Sequence, residues 1–95
     1  MITQEREKIQ KFIRDNEQAI LRDLARLIAI PSTEGAPAPG APFGPGPKAA
    51  LDEALAISRE LGLAAHDEQG YIGWAELPGQ QPEKYLGVIG HLDVV

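Results

Sequence analysis

Tyr85-Leu86-Gly87-Val88-Ile89-Gly90-His91-Leu92-Asp93-Val94-Val95 is the stretch on which the fold turns. From Tyr85 to His91 it is a nearly continuous apolar run, the pattern of a strand covered on both faces. Its end is polar. If Leu86 to Asp93 is a strand, His91 and Asp93 leave the same face. A carboxylate can then hold one imidazole nitrogen while the other is aimed at a cation, an arrangement that fixes the tautomer and raises ligand basicity. Ligands of open sheets gather at strand ends, which favours this reading. A histidine on a buried strand is also explained as a satisfied core residue, and one histidine does not make a catalytic zinc site, which takes three protein ligands.

Upstream, Ile9, Phe12, Ile13, Ile20, Leu24, Leu27 and Ile28 recur at helical spacing, predicting a helix from Thr3 to Ala29 with Glu7 and Lys11 as an i,i+4 pair. Capping residues at Asp15-Asn16-Glu17-Gln18 restart or kink it, and Pro31 ends it. Ser32 to Pro47 is crowded with Pro and Gly and reads as a long loop. A second helix is expected from Pro47 to Leu61, stopped by Gly62. Leu63 to Glu68, a Gln69-Gly70 turn and Tyr71 to Leu77 then form a hairpin. The fold class expected is α/β: two helices packed on a small sheet made of the hairpin and one buried strand, with residues 1–95 forming part of one domain and the Pro/Gly-rich loop 32–47 inside it.

Composition narrows the function. Ninety-five residues make one small domain at most, burying roughly 60 to 65% of its unfolded surface. The net charge of -5, with basic residues scattered rather than striped, disfavours a nucleic-acid partner or an anionic membrane. No cysteine means no disulfide or thiolate metal site, so a metal would be held by imidazole and carboxylate, and the chain suits the cytoplasm. No apolar stretch has the roughly 18 residues of a membrane span, and the N-terminus has no signal-peptide core.

Other polar clusters read as ordinary structure. His66-Asp67-Glu68 suits the solvated face of an edge strand, and Glu83-Lys84 a solvated turn. Ser32-Thr33-Glu34 has no base spaced to activate a nucleophile and reads as loop chemistry. Trp74 reads as a packing residue. Lys48 is the one cation flanking the loop, too little for a Pro-rich docking motif.

Four segments in order carry a resemblance: Leu27-Ile28-Ala29-Ile30-Pro31-Ser32, Pro42-Phe43-Gly44 before a helix with Ala50-Leu51, Gly70-Tyr71-Ile72-Gly73, and Leu86 to Val95. Together they resemble the N-terminus of the dizinc metallopeptidase family that includes carnosinase-like and Xaa-His dipeptidases, succinyl-diaminopimelate desuccinylase and acetylornithine deacetylase. The His-x-Asp match is the specific one. The Phe-Gly segment and Gly-Tyr turn resemble the bacterial dipeptidase branch.

The resemblance implies that His91 is a zinc ligand and that Asp93 orients it. It implies two zinc ions in the complete site, with the remaining ligands and the general base downstream of this stretch. The chain is then expected to be about the first fifth to quarter of a zinc-dependent hydrolase of dipeptides, inactive alone and at most a weak zinc binder. Hydrolysis of N-acyl amino acids is the alternative substrate class, and a non-catalytic folding or assembly module the alternative of another kind. An exposed strand edge near Tyr85 to Val95 is expected to promote self-association.

Overall fold

The periodic N-terminal segment is not one helix but two, because Asn16 takes non-helical dihedrals between them and its side-chain amide donates to the Phe12 carbonyl. In the computed structural model, which describes residues 2–95, α1 spans Ile2–Asp15 and α2 spans Glu17–Ile28. Three residues then lead from the end of α2 to Pro31, as the restriction on the residue before proline requires. Helix α3 spans Pro45–Glu60, opening two residues earlier than expected. Pro45 and Pro47 both suit a first turn. Gly46 lets the turn begin at Pro45, since a Cβ there would collide with the Pro31 carbonyl oxygen.

Strands β1 (Ala64–Glu68) and β2 (Ile72–Glu76) pair antiparallel, with His66 opposite Trp74. Between them Gln69 and Gly70 have φ of 54° and 77°, and the Tyr71 amide donates to the Glu68 carbonyl at 3.0 Å. Two consecutive positive φ values are the requirement of a type I′ turn, the geometry that matches strand twist. Helix α3 packs across the face of the hairpin that carries the small residues. A Cβ on Gly73 would come within 2.7 Å of Leu51 Cδ1 and 3.1 Å of Leu55 Cδ2, so the glycine sets how closely helix and sheet approach. Ile72 and Trp74 take the open face, where Trp74 stacks on His66 at 5.0 Å and donates its indole N–H to Glu76.

The core is small and belongs to α3: Ala50, Leu55 and Ile57 are buried, joined by Ala41 and Ser32 from the loop. Helices α2 and α3 meet through charge, with Arg26 donating to Glu53 and to both carboxylate oxygens of Glu60. The α/β class holds, as a three-helix chain with a two-stranded sheet.

The buried third strand does not form. Tyr85, Leu86, Val88 and Ile89 are 88 to 98% exposed, and Tyr85 to His91 has no ladder partner. An apolar run states a need for cover on both faces, but β1 and β2 pair with each other and α3 spends its apolar side on the hairpin. The segment is fastened further on: the Val94 amide donates to the Ser32 carbonyl at 3.3 Å, giving one parallel bridge between Thr33 and Val94. Among the described residues no helix is long and apolar enough to cross a membrane.

Candidate functional site

That single bridge assembles the site. By holding Val94 beside Thr33 it brings His91 and Asp93 to the mouth of the Pro/Gly loop, where they line a cavity of about 530 Å³ together with Glu34. The size falls within the range of small-ligand sites. The opposite wall is apolar, built from Leu51 of α3, Ile72 of β2, Phe43 of the loop and Tyr71 of the turn. Phe43 and Tyr71 meet edge to face, with ring centroids 5.6 Å apart and planes at 90°.

His91 Nδ1 lies 3.1 Å from the Asp93 main-chain oxygen and 3.2 Å from Asp93 Oδ1. Both partners are acceptors, so Nδ1 carries the proton and the neutral ring turns the Nε2 lone pair away from Asp93. The side chain is 84% exposed, which leaves Nε2 free to meet a cation or a proton. The i,i+2 pairing inferred from the sequence is therefore present, although the local chain path and not a strand ladder produces it.

The residues fit one position of a zinc sphere: an imidazole with its far nitrogen held by a carboxylate. They do not fit a whole one. Among the described residues no group of three His, Cys, Asp or Glu side chains could hold a metal ion.

The turn that presents Tyr71 is fixed electrostatically. Asp67 accepts the Gly70 amide at 2.9 Å and Lys48 Nζ at 2.8 Å, and Lys48 also donates to Asp52. Lys48 and then the Gly70 amide hold the Asp67 carboxyl below its ordinary range, while Asp52 and then Asp67 push Lys48 upward. Lys48 thus ties the first turn of α3 to the hairpin, and it is consumed there instead of flanking a docking motif. His66 stacks on Trp74, and the Ser32 carbonyl receives Val94, so neither cluster carries chemistry. Glu34 is the cavity residue that loop chemistry did not anticipate. No periodicity marks it, because its place depends on a bridge between segments far apart in sequence.

The chain is 35% identical over 92 residues to a protein of Staphylococcus aureus strain USA300 named "Putative dipeptidase". Proteins of the same name from strains NCTC 8325 and MRSA252 match with the same 35% identity. Each alignment covers 95% of this chain and 18% of the relative, so the chain spans less than a fifth of the length of the curated relatives it matches. No family model matches the chain, and no solved structure does.

Proposed function

We propose that this chain is the part of a zinc-dependent dipeptidase that contributes His91 as one metal ligand, oriented by Asp93, at the floor of a substrate cavity. The observation that carries the reading is the His91–Asp93 pair, with Nδ1 fixed on the carboxylate and Nε2 free at the mouth of the cavity. The 35% identity to staphylococcal proteins named as dipeptidases supplies the reaction class, hydrolysis of a peptide bond. The absence of cysteine agrees with work in the cytoplasm.

When bound, zinc would supply an activated water near neutral pH and polarisation of the scissile carbonyl. The residues of this chain do the rest. Asp93 keeps the imidazole in the Nδ1–H tautomer and fixes its rotation. Leu51, Ile72, Phe43 and Tyr71 exclude water from one wall, which strengthens electrostatic contacts at the other.

The chain contains two histidines, and this permits an internal control. Zinc titrated into the protein and followed by imidazole NMR should broaden or shift the His91 ring resonances before those of His66, whose ring stacks on Trp74. Asp93→Asn should weaken the His91 response by about 10- to 100-fold in zinc concentration. Equal responses of both rings, unchanged by Asp93→Asn, would remove the ligand assignment.

A further inference from the structure

The cavity next to His91 is lopsided in charge. Glu34 and Asp93 line it, and no Lys or Arg does. Asp93 is occupied with His91, whereas the ion pairs among the described residues leave Glu34 out. Facing this carboxylate across the space is the edge-to-face pair of Phe43 and Tyr71, an apolar corner with a polar rim. A ligand that satisfies both walls presents a cation and an apolar group a few bonds apart. It cannot present an anion there without meeting two carboxylates.

We infer that this cavity takes the amino-terminal residue of an unblocked peptide, its ammonium group on Glu34 and its apolar side chain against Phe43 and Tyr71. The inference rests on the dipeptidase reading and sharpens it. An α-ammonium group and a side chain leave the same carbon, and the adjoining carbonyl then falls toward His91, the side from which it is to be attacked. The carboxyl-terminal half of a dipeptide would bring its negative charge to the wrong wall. An N-acyl amino acid would bring a neutral amide in place of the ammonium, forfeiting the charge-assisted contact and adding bulk at Glu34. Glu34 thereby separates peptides with a free amino terminus from acylated amino acids.

The test is NMR-detected binding of leucylglycine and N-acetyl-leucylglycine to the 95-residue chain, with and without Glu34→Gln. Leucylglycine should shift the amides of Gly70, Tyr71 and Gly73 and bind about five- to ten-fold more tightly than its acetylated form. Glu34→Gln, an isosteric change at an exposed position, should abolish that preference while leaving the dispersion of the spectrum intact. Equal binding of the two peptides, an undiminished preference in Glu34→Gln, or binding of neither would each overturn the inference. The zinc titration fails separately. Glu34-dependent binding of leucylglycine with no zinc selectivity for His91 would remove the metal-hydrolase reading and leave the amine pocket standing.

Discussion

Replacing Gly70 with alanine tests whether the Pro/Gly loop is docked on the hairpin turn or merely lies beside it. Two costs add at this position. Gly70 has φ of +77°, where an L-residue pays about 1 to 2 kcal/mol. A Cβ there would also collide with the Gly40 carbonyl oxygen and lie 2.9 Å from Pro42 Cδ, so the loop must move. Overpacking of that kind costs about 1 to 3 kcal/mol, giving a total of about 2 to 5 kcal/mol for Gly70→Ala. Gly62 supplies the control: its φ is +87°, but nothing lies within 4 Å of an added Cβ. Gly62→Ala should therefore show the dihedral cost alone, about 1 to 2 kcal/mol. Urea unfolding followed by the fluorescence of Trp74, the single tryptophan, reads both variants. Should Gly70→Ala leave too little folded protein to measure, Gln69→Gly provides a more stable background, because it relieves a non-glycine residue at φ of 54°. If Gly70→Ala costs no more than Gly62→Ala, the loop does not bear on the turn, and the wall formed by Phe43 and Tyr71 loses its support.

The carboxyls of Glu60 and Asp67 are held below their ordinary range by Arg26 and Lys48 respectively, so both contribute stability above the unfolded carboxylate values near about 4 and lose it as pH falls through their lowered folded values. Unfolding midpoints measured across the acid range should fall with pH, and the slope should be shallower in Asp67→Asn. The 95-residue chain should hydrolyse no dipeptide with added zinc, manganese or cobalt, because its described residues offer no three-donor group; turnover lost on His91→Ala would contradict this. With Tyr85, Leu86, Val88 and Ile89 exposed and unpaired, two copies should associate through this segment. A single monomeric mass in sedimentation equilibrium up to high micromolar concentration would refute that.

The parts legible in the sequence are those with local causes. Gln69-Gly70 between alternating segments gave the hairpin, Pro31 and Gly62 gave the helix ends, and the i,i+2 spacing gave the His91–Asp93 contact. What was not legible depends on partners. The apolar run Tyr85 to Ile89 demands cover without naming what provides it, and it stays open. Gly73 looked like a gap in a strand, yet it is the point where Leu51 and Leu55 come closest to the sheet. Glu34 enters the cavity because Val94 meets Ser32, and no local pattern encodes that meeting. The accessible surface tells the same story at larger scale. It is 7946 Å², against about 5,300 Å² expected for a folded monomer of 10.2 kDa, so the excess lies in segments whose apolar sides await cover.

The seam between α2 and α3 divides the molecule by what dissolves it. Arg26 forks onto Glu60 and reaches Glu53, with Asp23 beside it, while α3 holds the hairpin through Leu51 and Leu55. Added salt screens the first contact and leaves the second untouched or strengthened. Ionic strength is thus a handle on one joint alone: it frees the N-terminal helices as an arm while the cavity-bearing half keeps its shape.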